Sequence, residues 1–181
     1  GFTGGNNQGI AAAQGRYVLV LNPDTEIVDE ALDRLLDYAE ANSTVGAVGP
    51  RLLNPDRSIQ PSRRRFPTVA VAFFESTWLQ SLAPRKLLRR YYMEDVAADV
   101  VQEVDWLNGA CTLFRREVLD RVGGYDEANF FMYSEELDLC KRIKLAGWRI
   151  VYIPAAQVIH YEGKSSEQAV AARHIRFNTS K

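Results

Sequence analysis

The stretch Arg16-Tyr17-Val18-Leu19-Val20-Leu21-Asn22-Pro23-Asp24-Thr25 decides the fold of this chain. Residues 17–21 are aliphatic, β-branched or aromatic, without the polar alternation of a half-exposed strand. Such a run is typical of a strand buried at the centre of an α/β sheet. Open α/β sheets bind ligands just beyond the carboxyl ends of their strands. We therefore expect Asp24 to lie at a ligand-binding edge of the sheet.

The polar residues after this strand allow two interpretations. Asn22 and Asp24 offer two hard oxygen ligands, which suit Mg²⁺ or Mn²⁺ and, through the cation, phosphate groups. The sequence Asn-Pro-Asp-Thr is also good turn chemistry and could simply start the next helix. The local sequence leaves both interpretations open.

The rest of the chain alternates between helical and strand patterns. Helices are predicted at residues 6–14, 29–42, 69–90 with a break at Pro84, 116–121 and 134–146, and from Ser166 onward. Strands are predicted at residues 16–21, 45–48, 106–114, 149–153 and 157–159, with a small hairpin around residues 54–56. This order predicts an α/β fold with a mixed, mostly parallel sheet flanked by helices.

Composition excludes several classes of protein. The chain has 181 residues, 46% of them hydrophobic and 25% charged, which is typical of one globular domain. Its 22 basic and 23 acidic residues argue against a nucleic-acid partner bound by bulk positive charge. Cys111 and Cys140 are too few for a disulfide framework, so we expect buried thiols in a reducing, cytoplasmic compartment. No apolar run approaches the ~18 residues of a membrane span, and the start at Gly1 suggests a chain that begins inside a domain.

Charge is unevenly distributed along the sequence. Residues 51–90 contain nine Arg and Lys against two acidic residues, and residues 94–138 contain twelve acidic residues against three Arg. This pattern fits an anion-binding site beside an acidic site, and it equally fits two solvated faces of opposite sign.

Three further groups of residues could carry chemistry. Glu136 shares a helical face with Cys140 and Ile143, which predicts an inward carboxylate suited to general base catalysis, with Glu135 and Asp138 solvated. The alternative is that these acidic residues only complement the helix dipole. His160 ends a predicted strand as a candidate ligand or an ordinary hydrogen-bonded histidine. Trp106 beside Gly109 and Ala110 could form a sugar platform or belong to the core.

Together these motifs resemble family 2 glycosyltransferases of the GT-A fold, closest to the rhamnosyltransferase-like branch. The resemblance covers Gly1 to about Ser166 and rests on the segments 4–10, 15–25, 106–111, 123–127, 130–140 and 146–152 with Pro154 and His160.

The resemblance implies a role for each matching residue. Asp24 lies at the family's Asp-x-Asp motif and would coordinate Mg²⁺ or Mn²⁺, with His160 completing the metal shell. Asn22 and Asn7 would lie on the donor side. The remaining roles concern the acceptor and the chemistry: Trp106, Gly109 and Ala110 would bind the acceptor, Glu136 would be the base, and Glu135 would be its neighbour in the catalytic motif.

The implied activity is metal-dependent, inverting sugar transfer in bacterial cell-surface glycan synthesis. The donor would be a dTDP- or UDP-linked sugar, rhamnose among the candidates, and the acceptor a glycan or a lipid-linked saccharide. The alternative is a non-catalytic binding module of the same fold. A homodimer is a further expectation.

One departure from the family concerns its first two strands, which hold the nucleoside and are absent here. The chain is therefore expected to be the C-terminal portion of a glycosyltransferase catalytic domain and to be inactive by itself. Within residues 1–181, we expect a metal-binding region at 1–50, an acceptor-side insertion at 51–105, an acceptor and catalytic region at 106–165 and a tail at 166–181.

Residues 69–90 interleave aromatic, aliphatic and basic side chains. This pattern fits a peripheral contact with the inner face of the plasma membrane. It also fits a helical hairpin packed on the core.

Overall fold

The computed structural model describes residues 2–130 and 134–161. Its helices are α1 (Phe2–Ala12), α2 (Ala31–Ala41), α3 (Val69–Glu75), α4 (Arg85–Tyr91), α5 (Arg116–Val122) and α6 (Glu135–Leu145), with a 3-10 turn at Trp78–Leu82. Its strands are β1 (Tyr17–Leu21), β2 (Thr25–Val28), β3 (Val45–Leu53), β4 (Ile59–Gln60), β5 (Arg63–Arg64), β6 (Gln102–Glu103), β7 (Trp106–Leu107), β8 (Cys111–Arg115) and β9 (Arg149–His160). The predicted terminal helix from Ser166 lies outside the described residues.

The main sheet has the strand order β1-β8-β3-β9-β2. Strands β3 and β9 pair in parallel, whereas β8 pairs antiparallel with both β1 and β3, and β2 pairs antiparallel with β9. Strands β1, β3 and β9 therefore share one direction, with β8 inserted between β1 and β3. This arrangement confirms the mixed α/β sheet flanked by helices. The short strands β4 and β6 pair antiparallel with β3 and β9, respectively. Strands β5 and β7 pair with each other in a separate two-stranded sheet.

The end of the sheet near His160 differs from the sequence prediction. The two strands expected at residues 149–153 and 157–159 form one strand, β9. Its pairing with β3 changes register between Ile153 and Gln157, so a bulge absorbs Pro154, which has no backbone N–H to donate. Strand β2 is also absent from the prediction, and α2 begins at Ala31 rather than Asp29.

The helical pattern at residues 69–90 is divided into three short pieces. The expected break at Pro84 is confirmed, and a second break follows α3 where the Thr77 side chain caps the 3-10 turn by accepting a hydrogen bond from the Leu79 N–H. Among the described residues, no helix combines the length and the apolar character needed to cross a bilayer.

The hydrophobic core has two halves, one on each face of the sheet. On one face, α2 packs Leu35 against strand residues that include Val48 and Val158. On the other face, α5 and α6 pack with residues that include Phe114 and Ile150. Both faces of the central strands are thus buried, which accounts for their continuous apolar sequence.

The two cysteines lie on opposite sides of this core. Cys111 and Cys140 are buried and free, as the sequence predicts. Burial raises the pKa of each thiol to about 12, so both remain protonated, unreactive core residues near neutral pH.

Candidate functional site

The turn after β1 crosses the end of the sheet toward β2. Its first residue, Asn22, donates its N–H to the carbonyl of Ala110 at 2.9 Å. The Thr25 hydroxyl donates to the Asn22 carbonyl at 2.7 Å. Its last residue, Asp24, accepts a hydrogen bond at its carbonyl from the Tyr161 N–H at 2.9 Å. These bonds fix Asp24 beside the ends of β8 and β9.

Asp24 and His160 converge at this edge, as expected for residues that close neighbouring strands. Thr25 pairs with His160 in the β2–β9 ladder, which places the preceding Asp24 within reach of the imidazole. His160 Nε2 lies 3.4 Å from Asp24 Oδ1, and the two side chains are only 8% and 11% exposed. His160 Nδ1 lies 2.9 Å from the Oε1 atom of Gln60, a buried residue that the sequence analysis did not identify.

The chemistry of this pair fits a divalent cation. Carboxylate oxygen and imidazole nitrogen are both common ligands of divalent transition metals. Within residues 2–130 and 134–161 there is no group of three or more His, Cys, Asp and Glu side chains able to hold a metal.

The two glutamates at the start of α6 occupy different environments. Glu135, expected to be solvated, is only 2% exposed, and among the described residues its Oε2 atom has no hydrogen-bond partner. The expectation of a solvated Glu135 is therefore wrong. Burial, followed by the neighbouring Glu136 charge, raises the Glu135 pKa to about 8. Asp138 is half-buried and forms an ion pair with Arg142 at 2.8 Å.

Glu136 points at the Gly109 turn. A β-carbon added at Gly109 would lie 2.5 Å from Glu136 Oε1, so only glycine admits the carboxylate there. Burial raises the Glu136 pKa, and a hydrogen bond from the Gly109 N–H partly opposes that shift. The Glu136 residue as a whole is half-buried. The inward direction predicted from its shared face with buried Cys140 and Ile143 is confirmed.

The loop before α6 is held by Asn7 and Arg142. The Asn7 amide donates to the Tyr125 carbonyl at 2.7 Å and accepts from the Tyr125 N–H at 2.8 Å. Arg142 donates to the carbonyls of Val122 and Gly124 at 2.8 and 2.9 Å. The amide of Asn7 is thus engaged with backbone, and its expected role on the donor side stays a prediction.

Trp106 lies in a cluster of aromatic and cationic groups. Its indole N–H donates to the Arg65 carbonyl at 3.0 Å. The Arg64 guanidinium stands 5.7 Å from the Trp106 ring centroid and 4.6 Å from that of Tyr92. The Tyr91 ring is 6.5 Å from Trp106. The half-buried indole is therefore fixed in orientation.

The basic run Arg63-Arg64-Arg65 is engaged with the protein itself. Arg63 is buried and donates to the carbonyls of Val96 and Ala97. Arg65 pairs with Asp95 at 2.7 Å. Burial lowers the pKa of the Arg64 guanidinium. These three side chains are thus held by contacts within the protein.

Four of the predicted site residues are linked through one short backbone segment: Asn22, Gly109, Ala110 and Glu136. Ala110 joins the turn of Asn22, and the adjacent Gly109 contacts Glu136. Asn108 supports the segment because its side-chain oxygen accepts a hydrogen bond from the Ala110 N–H at 2.9 Å.

Two residues near the site could not be identified from the sequence: Gln60, on the short strand β4, and Tyr125. Burial raises the Tyr125 pKa well above its usual value, and the Glu136 charge raises it further. The buried position of Gln60 could have been inferred only from the pairing of β4 with β3.

Comparison with known proteins identifies the family of this chain. The profile of the glycosyltransferase-like family 2 matches residues 1–176. The chain is 36% identical over 162 residues to the N-acetylglucosaminyl-diphospho-decaprenol L-rhamnosyltransferase of Mycobacterium tuberculosis, covering 87% of this chain and 52% of that protein. It is 31% identical over 169 residues to the rhamnosyltransferase WbbL of Escherichia coli, covering 89% and 61%. The chain thus spans about half the length of these curated relatives.

Solved structures show the same fold. GalNAc-T7, crystallised with UDP, GalNAc and Mn²⁺, matches with a TM-score of 0.60 and 13% identity, covering 90% of this chain and 31% of that one. The mannosyltransferase PcManGT of Pyrobaculum calidifontis, in complex with GDP-Man and Mn²⁺, matches with a TM-score of 0.56 and 20% identity, covering 97% and 40%. The expected GT-A-like fold is confirmed, and the chain belongs to the glycosyltransferase-like family 2.

Proposed function

We propose that this chain is the acceptor and metal-binding part of a metal-dependent, inverting glycosyltransferase of glycan synthesis. The observation that carries the proposal is the convergence of Asp24 and His160 at the sheet edge, linked through the Gly109-Ala110 segment to the carboxylate of Glu136. The names of the similar proteins support a rhamnosyl group as the transferred sugar and a lipid-linked diphosphate saccharide as the acceptor. The donor would be a nucleoside diphosphate sugar.

Asp24 and His160 would hold Mg²⁺ or Mn²⁺ against the donor diphosphate. A cation there offsets the negative charge that develops on the departing nucleoside diphosphate. Two nearly buried protein ligands suit this role because they would leave positions on the cation for the donor. Asn22 contributes through its backbone, which fixes the turn that carries Asp24.

Glu136 is the proposed general base. It would accept the proton of an acceptor hydroxyl while that oxygen forms a bond to the anomeric carbon, and the bond from this carbon to the diphosphate oxygen breaks. A single displacement of this kind inverts the anomeric configuration. The Gly109 N–H holds the Glu136 carboxylate in place, and the raised pKa brings its basicity closer to neutral pH. Trp106, Gly109 and Ala110 would form the wall on which the acceptor rests.

Glu135 is less suited to proton transfer. The Glu135 residue is almost completely buried, whereas Glu136 is half-buried and its carboxylate lies against the Gly109 turn. The proposed role of Glu135 is to raise the pKa of the pair through charge repulsion.

Transfer from dTDP-linked rhamnose to a prenyl-diphosphate N-acetylglucosamine acceptor, assayed with this chain joined to the family's two nucleoside-binding strands, tests this function. We expect transfer to stop after EDTA treatment and to return with Mn²⁺ or Mg²⁺. Asp24→Asn should abolish the return, whereas the exposed Asp37→Asn on α2, which makes the same change in charge, should retain it. Equal transfer with and without EDTA would contradict metal dependence, and NMR of the product linkage tests inversion.

The alternative, a non-catalytic binding module, gives a different result in the same samples. Such a module would bind dTDP in a Mn²⁺-dependent manner, measurable by calorimetry, without forming product.

We further propose that residues 69–90 contact the inner face of an anionic membrane, where a lipid-linked acceptor is available. Large apolar side chains in this segment are exposed: Val69 at 90%, Trp78 at 87% and Leu82 at 69%. The Arg and Lys side chains of α4 are exposed beside them, at positions 85, 86, 89 and 90. Apolar anchors flanked by cations match the chemistry of an anionic headgroup layer, and Trp106 lies close to α4 through Tyr91.

Co-sedimentation with vesicles tests this contact. Binding should require anionic lipid, weaken with salt and fall strongly in Trp78→Ser. The exposed Leu145→Ser on α6 serves as the control. Equal binding to neutral and anionic vesicles, or no binding to either, would overturn the proposal.

A further inference from the structure

The turn between β3 and β4 lies next to the Asp24–His160 pair and carries a chain of polar side chains. Leu52 and Leu53 of β3 pair with Gln60 and Ile59 of β4. This pairing places Gln60, which is 5% exposed, beside the imidazole of His160. The contact joins residues 100 positions apart in sequence.

The hydrogen bonds of this chain are all donated in the same direction, from Gln60 toward Asp56 in the turn. The Ser58 hydroxyl donates to Asp56 Oδ1 at 2.6 Å. The Asn54 amide donates to the Ser58 oxygen at 2.9 Å. The Gln60 amide donates to Asn54 Oδ1 at 3.2 Å. The amide oxygen of Gln60 is then left facing His160 Nδ1 at 2.9 Å.

The direction is determined by Asp56. Amide groups can reverse their donor and acceptor ends, and a hydroxyl can rotate, so the middle of such a chain is not directional by itself. An ionised carboxylate can only accept hydrogen bonds. Asp56 therefore requires Ser58 to donate, and each group further along must donate in turn until His160 donates from Nδ1.

We propose that Gln60 is a positioning residue for the metal pair, directed by the Asp56 carboxylate. With its proton held on Nδ1, neutral His160 presents the lone pair of Nε2 toward Asp24, which is the form that a metal ligand must have. Without the hydrogen bonds from His160 through Gln60 to Asp56, Asp24 would favour the opposite tautomer of His160, because a proton on Nε2 could be donated to the Asp24 carboxylate. The metal role of His160 rests on the proposed function; the tautomer assignment does not.

The tautomer can be measured without metal. The chain contains two histidines, so ¹⁵N-histidine NMR with a His174→Gln variant assigns the His160 ring. At alkaline pH, we expect the Nδ1–H form in the otherwise unmodified protein. Gln60→Met, which removes the acceptor, should shift the ring to the Nε2–H form. An unchanged tautomer in Gln60→Met would overturn the proposal.

Asp56→Asn gives a second test at an exposed position where folding is not threatened. The new amide can donate to Ser58 and so permit the chain to reverse, which should move His160 part of the way toward Nε2–H. Asp37→Asn makes the same charge change at an exposed site on α2 and should leave the tautomer unaltered. An identical shift in Asp56→Asn and Asp37→Asn would contradict a directed chain.

Titration with MnCl₂, followed by water-proton relaxation, measures the consequence for the metal. Gln60→Met should weaken Mn²⁺ binding about 10- to 100-fold, as is usual for the loss of a residue that orients a ligand, and Asp56→Asn should weaken it less. Unchanged Mn²⁺ affinity in Gln60→Met would overturn the positioning role. If the unmodified protein shows the Nδ1–H tautomer but binds no Mn²⁺, the proposed function fails while the hydrogen-bond chain stands.

Discussion

At the scale of single residues, the two neighbouring glutamates of α6 occupy different environments. The helix directs Glu136 toward the Gly109 turn and buries Glu135. Glu136 is half-buried and reaches the Gly109 turn, whereas Glu135 has a buried oxygen with no hydrogen-bond partner among the described residues. A sequence pattern with a period of 3.6 predicts the inward face of Glu136. It does not predict the burial of Glu135, because the covering residues come from other parts of the chain.

Glu136→Gln should lower the rate of sugar transfer about 100- to 10,000-fold, the usual contribution of a general base. The amide keeps the shape of the side chain and can still accept from the Gly109 N–H, so the fold and the binding of nucleotide should be retained. Transfer kinetics and calorimetry measure the two effects separately. Glu135→Gln is the matched control, and a larger loss of transfer in that variant would reverse the assignment of the base.

Glu135→Gln should change the pH dependence of stability. The folded state holds the Glu135 proton up to about pH 8, whereas an ordinary carboxyl has a pKa of 4.5. The unfolded chain therefore loses its proton first, and the wild-type free energy of unfolding falls as pH rises between these values. Removing the ionisable group should make the variant the more stable protein above pH 8, by on the order of 1–3 kcal/mol.

Urea unfolding at several pH values checks this prediction. The stability gained by Glu135→Gln is limited because the repulsion between Glu135 and Glu136 is already relieved when either carboxyl holds a proton. A difference between variant and wild type that stays constant from acid to alkaline pH would show that Glu135 ionises normally in the folded protein.

At the scale of elements, α6 is joined to the end of α5 through Arg142. Gly123 ends α5 with a φ of 81°, a left-handed conformation that favours glycine. The chain then turns so that the carbonyls of Val122 and Gly124 face the Arg142 guanidinium, whose third bond goes to Asp138. This fork of three Arg142 hydrogen bonds fixes residues 122–125, the loop that Asn7 also binds at Tyr125.

Arg142→Lys should destabilise the protein by about 1–3 kcal/mol, because an ammonium group cannot satisfy two carbonyls and a carboxylate in this planar geometry. Hydrogen exchange should accelerate around residues 122–125 and at the start of α6. Arg121→Lys, at an exposed position on α5, should cause neither effect. Equal stability of the two variants would mean that the fork does not hold the loop.

The sequence predicted elements well where local periodicity determined them. The buried strand β1 and the amphipathic helix α2 depend on their own residue patterns, and both are found close to their expected positions. Strand β2 and the continuous course of β9 were missed because they depend on pairing. Residues 25–28 become a strand only beside residues 157–160, and Pro154 is tolerated within β9 only because the ladder shifts register there.

At the scale of the whole molecule, the α2 face of the core supports the strands whose ends form the site. Leu35 is completely buried in the cluster that contains Ala110, Cys111 and Val158. The same cluster thus underlies the Gly109-Ala110 segment and the strand that ends at His160. The catalytic roles are proposals that rest on a family resemblance, whereas this common support could only be seen in three dimensions.

Leu35→Ala should lower the free energy of unfolding by about 2–5 kcal/mol, the usual cost of a cavity at a fully buried leucine. Leu36→Ala, at the adjacent exposed position, should cost less than about 1 kcal/mol. Urea unfolding measures both. Nucleotide binding per folded molecule should remain similar in the two variants, and a small loss in Leu35→Ala would show that the core relaxes into the space.

The pairing of strands distant in sequence also has a consequence for the order of folding. Tyr17 of β1 aligns with Arg115 of β8, and Val45 of β3 aligns with Arg149 of β9. Contacts across such long loops form late and slowly, because the chain must lose the entropy of closing each loop first. Asp24 meets His160 only when β9 has joined the sheet. A nascent chain that has not yet added β9 therefore lacks the proposed metal pair, so any metal binding at Asp24 and His160 would report completion of the sheet.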